Sequence, residues 1–131
     1  MTGLVVDTSA LMSILRREPG SVALASALAS ADVALASAPT LVELGLVVEG
    51  RYPDAVGRAQ QAMRDGEIQV VAFDEALAVR ATDAWRRFGK GRHPAGLNFG
   101  DCCTFALAED RGLPILCVGE DFRRTGWPVL P

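Results

Sequence analysis

With 131 residues, half of them apolar and 22% charged, the chain is long enough to bury a core without disulfide or metal staples, and one domain spanning 1–131 is expected. A net charge of −3 argues against a module that grips nucleic acid through phosphate contacts alone, because such modules are basic. It leaves room for an enzyme that meets phosphates through cations, since the carboxylates holding those cations lower the formal charge.

Leu4-Val5-Val6 is a short apolar run ending in Asp7 and reads as a buried strand. Thr8 or Ser9 is then placed to cap a helix over Ala10–Leu15, which Pro19-Gly20 closes. A second Ala/Leu helix runs from Ser21 to about Ala31-Asp32, followed by a strand over Val33–Ala36. Pro39 suits the first turn of a helix through Thr40–Glu49, in which Leu41, Leu44 and Val48 share one face and Thr40, Glu43 and Val47 another. Pro53-Asp54 opens a further helix that Asp65-Gly66 ends, and Ile68–Ala72 forms a third strand. Asp74 caps a long helix in which Leu77, Arg80, Ala81, Ala84, Trp85 and Phe88 give the period, so Trp85 and Phe88 read as core.

Four glycines and a proline between residues 89 and 100 make that stretch a loop. Asp101 opens a helix that Arg111-Gly112 stops, a fourth strand lies within Leu113–Val118, Gly119–Phe122 turns away from it, and Val129-Leu130 suits a short last strand. Alternating strands and helices predict an α/β fold with a mostly parallel sheet of four or five strands. Cys102, Cys103, Cys117 and the lone His93 are too few and too poorly spaced for a zinc site or a disulfide framework. No basic leader and no stretch of about 20 apolar residues is present, so a soluble, cytoplasmic protein with no membrane association is expected.

Four acids have unusual placements. Asp7 and Asp121 each follow a buried strand, and ligands of open α/β sheets bind outside the carboxyl ends of the strands. Asp101 stands at the mouth of the helix leading into the second of those strands. Glu43 lies inside a markedly apolar helix, where a carboxylate costs free energy unless paired or bound to metal. Taken singly, each has a plainer reading: an Asx cap at Asp7, a helix-dipole acid at Asp101, a solvent-facing Glu43, a turn residue at Asp121. No lysine or arginine lies close in sequence to Asp7, Glu43 or Asp101, and a converging oxygen set without basic partners suits a hard cation.

Val6-Asp7-Thr8-Ser9-Ala10-Leu11 resembles the opening of a PIN domain, in which an aspartate ends the first strand and a small hydroxyl residue follows. Ser37–Glu43, Leu97–Cys102 and Leu116–Phe122 resemble the segments carrying the second, third and fourth acids, so the likeness covers almost the whole chain. Length and the Gly-Lys-Gly-Arg-His loop before Asn98 make it most similar to the VapC-type toxins of bacterial toxin–antitoxin pairs. That resemblance implies a PIN-like three-layer fold and a metal-dependent endoribonuclease, a homodimer held inactive by a VapB-type antitoxin. It implies Asp7, Glu43, Asp101 and Asp121 as the acidic cluster. One segment departs from the pattern: where many members carry Thr or Ser, one residue and then the acid, this chain has Cys117, Val118 and Gly119, which moves the fourth acid to Glu120 or Asp121, with Asp121 preferred.

The chemistry expected is phosphodiester hydrolysis of RNA with Mg²⁺, for which Mn²⁺ should substitute. Asp7 and Asp101 are the expected direct ligands, with Glu43 and Asp121 serving bound waters or a second ion. Thr8, Ser9 and Asn98 are candidates for a phosphate or bound water. Lys90 and Arg92 are candidates for the RNA backbone, together with His93, Arg86 and Arg87, although the last two equally suit a solvated helix face. Two other readings compete. An aspartyl-phosphate phosphatase would use Asp7 as nucleophile, but it would carry a second Asp where Ser9 stands. A catalytically inactive PIN-like interaction domain would have lost one or more of the acids.

Overall fold

The computed structural model describes residues 2–131. Strand β1 (Gly3–Val6) is followed by helices α1 (Thr8–Leu15) and α2 (Ser21–Ser30) and by strand β2 (Val33–Ser37). Helices α3 (Ala38–Val48) and α4 (Ala55–Asp65) lead to β3 (Ile68–Val71), and α5 (Glu75–Phe88) and α6 (Phe99–Arg111) lead to β4 (Ile115–Leu116). One 3₁₀ turn, Arg123–Thr125, precedes β5 (Val129–Leu130). The strands pair in the order β3-β2-β1-β4-β5 and every pairing is parallel.

Alternation along the central strands sends side chains to two cores. Leu4 and Val6 of β1, with Ala34 and Ala36 of β2, pack against Leu11, Leu24, Leu44 and Met63 of α1–α4. Val5 and Leu35 point the other way, against Leu77 and Ala84 of α5 and Phe105, Leu107 and Ala108 of α6. Helices thus cover both faces of the sheet, as a three-layer α/β fold requires. The order reverses between β1 and β4, and that reversal is the switch point beyond which such sheets open a crevice. Helix α6 is buried around its whole circumference from Cys102 to Ala108, which an amphipathic surface helix could not be.

Several local readings need correction. The cap of α1 is Asp7, whose side chain accepts from the Ser9 amide, so Thr8 and Ser9 belong to the first turn. Helix α6 begins at Phe99 with Asn98 as its cap, and Asp101 is the third helical residue, where a reciprocal capping box needs its acid. The fourth strand is only Ile115-Leu116; the Cys117 amide still donates to Leu130 O, and the chain bends away from Val118. Trp85 does not join the core: it is 41% exposed, while Phe88 packs against Phe105 as its spacing implies. Residues 89–98 form a closed loop, tied at its base by hydrogen bonds from Leu97 N to Phe88 O and from Lys90 N to Leu97 O. Leu44 is completely buried in the core that holds Leu4 and Val6, and the apolar side chains that α3 exposes are Val42, Leu46 and Val47.

Phe105 is buried between Phe88 and Trp127, with ring centroids 5.4 and 5.6 Å away. Phe105→Ala should therefore lower unfolding stability by about 3–5 kcal/mol, whereas Val42→Ala on exposed α3 should change it by less than about 0.5 kcal/mol. Urea denaturation of the two variants checks the pair, and similar losses would contradict the core assignment.

Candidate active site

The site is built at the parting of β1 and β4. Asp7 follows β1 directly, and its amide donates to Leu116 O at 2.9 Å, which pins it to the end of β4. Its side chain is 95% withdrawn from solvent, at 5% residual exposure. An aspartate so placed must have partners for its charge. Oδ2 accepts from the Ser9 amide at 3.0 Å and from Ser9 Oγ at 2.6 Å, and Oδ1 accepts from Thr104 Oγ1 at 3.0 Å. Ser9 Oγ in turn accepts from Val118 N at 3.0 Å, so one hydroxyl joins the first helical turn, the carboxylate and the segment leaving β4.

Glu43, on α3, is half-buried and accepts a 2.7 Å hydrogen bond from Thr8 Oγ1. Burial pushes its carboxyl up from the ordinary range and the charge of Asp7 adds to this, while the Thr8 hydroxyl opposes it. The carboxylate rests directly on the α-carbon of Gly100: a β-carbon built there would fall 2.6 Å from the Glu43 carboxyl carbon. Gly100 is thus required by the approach of a charged side chain to the first turn of α6. The positive end of that helix then faces the carboxylate.

Asp101 belongs to the same turn. Its Oδ2 accepts from the Asn98 amide at 3.1 Å, and Asn98 Oδ1 accepts from the Asp101 amide at 2.9 Å. Burial raises its carboxyl to about 6, against the Asn98 hydrogen bond, and the negative charges of Asp7, Asp121 and Glu43 push it further the same way. Asp121 is exposed, on the turn after β4. Its charge acts on Asp101 and on Cys117, and that of Glu120 is not among the influences on either, which favours Asp121 as the fourth member. Asp7, Glu43 and Asp101 thus come from three distant segments to one end of the sheet, and Asp121 stands near enough for its charge to act on Asp101.

Among the described residues, none of these carboxylates forms an ion pair; the ion pairs sit mainly between α5 and α6, where Arg80 and Arg87 meet Asp83, Glu109 and Asp110. Arg123 and Arg124 reach backbone carbonyls, of Pro131 and Pro94, and leave Asp121 alone. Cys117 is buried beside the acids, and burial and the Asp7 charge push its thiol up to about 12, so it offers no thiolate. All the donors on offer are hard oxygens, a set that fits a hard divalent cation. Among the described residues no three acidic, His or Cys side chains already close around one point, so water would complete the shell, as it commonly does for Mg²⁺.

The remaining predicted residues divide. Thr8 and Ser9 spend their hydroxyls on Glu43 and Asp7, and Asn98 spends its carbonyl oxygen on the cap. Lys90 is exposed; Arg92 lies over the Trp85 ring, 4.3 Å from its centroid. His93 is held in the loop, accepting from Ala95 N and packing edge-on against Phe88. Arg87 is committed to Asp83 and Glu109. Thr104 and Gly100 went unread in the sequence. A threonine inside a buried helix carries no local mark of its partner, 97 residues away, although a glycine four residues before it in a capped first turn was a visible anomaly.

The PIN-domain family model matches residues 4–128. This chain belongs to the PIN-domain family. Within it the chain is 44% identical over 125 residues to Ribonuclease VapC28 of Mycobacterium tuberculosis, covering 94% of each chain. It is 42% identical over 123 residues to Ribonuclease VapC of Mycolicibacterium smegmatis, covering 93% and 95%. The fold is shared with the crystal structure of Mycobacterium tuberculosis VapC20, described as a toxin that cleaves the sarcin–ricin loop: TM-score 0.75, 20% identity, 98% and 99% coverage. It is also shared with the DNA-bound VapBC complex from Salmonella typhimurium: TM-score 0.69, 18% identity, 100% and 98% coverage. PIN membership accounts for the three-layer parallel sheet, and the acid-bearing segments are those through which the sequence resembled the family.

Asp101 governs a pH dependence. Its carboxyl stands near 6 in the folded chain against an ordinary 3.8, so between those values the folded state holds more protons than the unfolded state. The contribution is therefore largest at low pH and is lost as pH rises from about 4 to 6. Glu43, also shifted upward, acts in the same direction. Thermal melts in EDTA should fall more steeply over that window for wild type than for Asp101→Asn. Parallel profiles would show that Asp101 is not crowded by its neighbours.

Proposed function

We propose that the chain is a Mg²⁺-dependent endoribonuclease of the VapC type, the toxin of a toxin–antitoxin pair, acting in the cytoplasm and neutralised by a VapB-type antitoxin. The observation that carries this reading is the placement of Asp7, Glu43 and Asp101 at the sheet's switch point with hydroxyl, amide and glycine neighbours and no ion pair among the described residues, and with the charge of Asp121 reaching Asp101. The names of the relatives, VapC ribonucleases at 42–44% identity, support it.

In this reading Asp7 and Asp101 hold Mg²⁺, for which Mn²⁺ can substitute, and Glu43 and Asp121 border it. Mg²⁺ supplies positive charge against the phosphate and makes water a readier nucleophile. Ser9 and Thr104 fix the rotamer of Asp7, so that it meets an incoming phosphodiester already oriented. Thr8 holds Glu43 against the first turn of α6, where the carboxylate can order water beside the scissile phosphate. Lys90 and Arg92, on the loop leading into α6, follow the RNA backbone. The phosphatase alternative loses ground because Ser9 is bonded to Asp7 and cannot act as a second acid. The inactive-domain alternative loses ground because none of the four acids is missing from the chain.

For the antitoxin, a groove of about 460 Å³ lies among α1, α2 and α4, lined by Leu11, Ile14, Leu15 and Leu28. An apolar helix face fits such a groove, and VapBC complexes are among the solved structures of this fold. The same reading includes a homodimer, for which the exposed Val42, Leu46 and Val56 of α3 and α4 offer apolar surface.

Asp101→Asn keeps the capping geometry and removes one repelling charge. It should abolish cleavage of RNA in Mg²⁺, melt no lower than wild type in EDTA, and lose most of the stabilisation that Mn²⁺ gives the wild type. Asp7→Asn should do likewise, and Gly100→Ala should lose cleavage by displacing Glu43. Cleavage assays and melts with EDTA or Mn²⁺ decide it; equal metal-induced shifts in wild type and Asp101→Asn would remove Asp101 from the site.

Replacing Lys90 and Arg92 together with Ala should weaken binding to single-stranded RNA of any sequence and reduce the slope of log affinity against log salt by about 0.7 per lost phosphate contact. An unchanged slope would make both residues part of a merely solvated loop.

A further inference from the structure

Immediately beside the acids the surface changes character. Phe99, the first residue of α6 and two before Asp101, is 80% exposed, and Trp85 on α5 is 41% exposed. Both line one groove of about 410 Å³, floored by Phe73, Ala78, Ala81, Cys102 and Cys103. Leaving an aromatic ring of this size in water forgoes the stabilisation that its burial would give. The exposed phenylalanine stands in the turn that also carries Asp101 and the Gly100 cradle of Glu43. The groove and the acids thus meet at the first turn of α6, which gives Phe99 to the one and Asp101 to the other.

The rim is built to hold one ring in place. The backbone of Gly89 passes so close to the Trp85 indole that a β-carbon at 89 would fall 2.7 Å from Nε1. Arg92 lies over the ring at 4.3 Å from its centroid, a cation–π contact that also fixes a guanidinium at the groove's edge. Lys90 is exposed on the same loop. Thr82 lies at the margin, where its hydroxyl donates to Ala78 O at 3.0 Å and keeps lone pairs to accept from an amino group. Flat apolar walls, positive charge at the rim and one polar edge match an unpaired base joined to a phosphate.

We infer that this groove is a nucleobase subsite: an unpaired base next to the scissile phosphate stacks on Phe99 and against Trp85, while Arg92 and Lys90 meet the adjoining phosphate. The inference rests on the nuclease reading and adds to it the contact by which bases flanking the cut are selected. Cys102 and Cys103 bracket the fit from below, since both lie in the groove floor directly after Asp101. A base seated there is held beside the turn that carries Asp101, so stacking serves registration of the strand as well as affinity.

The test uses the full chain, in EDTA so that nothing is cut. It titrates a short mixed-sequence single-stranded RNA and an abasic strand of the same length, each with a 5′ dye, followed by dye anisotropy and, where Trp85 is present, by tryptophan fluorescence. Of the two tryptophans, Trp127 packs on Phe105 with its N–H bonded to Leu113 O, which leaves Trp85 as the reporter. The RNA should bind about tenfold more tightly than the abasic strand and quench emission. Phe99→Ala should erase the difference and Phe99→Tyr should retain it. With Mg²⁺ added, sequencing of cut ends should show a base preference beside the cut that flattens in Phe99→Ala. Equal affinity for the two strands, no binding of either, or discrimination that survives both Phe99→Ala and Trp85→Ala overturns the subsite. So does conversion of a dimer to monomer by Phe99→Ala without RNA, which would give the groove to a second copy. Base discrimination without any cutting in Mg²⁺ would keep the subsite and remove the nuclease reading; cutting without base discrimination would do the reverse.

Discussion

The structure turns on how one buried negative charge is held. Asp7 sits at the end of the central strand, out of water, and its charge is met by an amide and two hydroxyls. A cationic partner would have stabilised the fold more simply, but an ion-paired carboxylate is a poor ligand. Hydrogen bonds from Ser9 and Thr104 orient the oxygens and leave lone pairs free, since each oxygen can accept more than once. The repulsion among neighbouring acids remains as a result, and it adds to the upward shifts that burial gives Glu43 and Asp101.

Helix α6 follows from that arrangement. It must pass close enough to β1 for Thr104 to reach Asp7, so it is buried all round and rich in small side chains. Its first turn must admit Glu43, so position 100 has no side chain. It must also hold Asp101 at a fixed angle, and the reciprocal hydrogen bonds with Asn98 do so. One helix thus supplies a site acid, the hydroxyl that orients a second and the seat for a third. It owes little of this to propensity and most of it to the closed loop that sets where the helix starts.

The sheet provides the common location. Because the order reverses between β1 and β4, the loops leaving those strands diverge to opposite faces and leave an opening over their ends. Asp7 and the turn bearing Asp121 come from these two exits. Helices α3 and α6, one from each layer, bring Glu43 and Asp101 to the same opening. The acids need four separate segments because no single helix or strand can aim carboxylates at one point from several sides.

By itself the sequence determined the order of the elements and marked out Asp7, Glu43 and Asp101 as unusual acids, with the fourth left between Glu120 and Asp121. Apolar runs of strand length, helical spacing and Gly/Pro punctuation are local properties of the chain, and they were enough for an alternating α/β order. Asp7, Glu43, Asp101 and Asp121 were legible because each breaks a local pattern: a charge after a buried strand, or a charge within an aliphatic helix. The tertiary structure alone decided what those acids touch. Thr104 became part of the site because packing set it 3.0 Å from an aspartate 97 residues away. Gly100 mattered only once Glu43 lay against it. Trp85 reads as core on helical spacing, but it stands 41% exposed on the rim of the groove between α5 and α6, with Arg92 over its ring. Periodicity records which residues share a face; which face another element covers depends on contacts between segments far apart in the chain, and no local pattern encodes those.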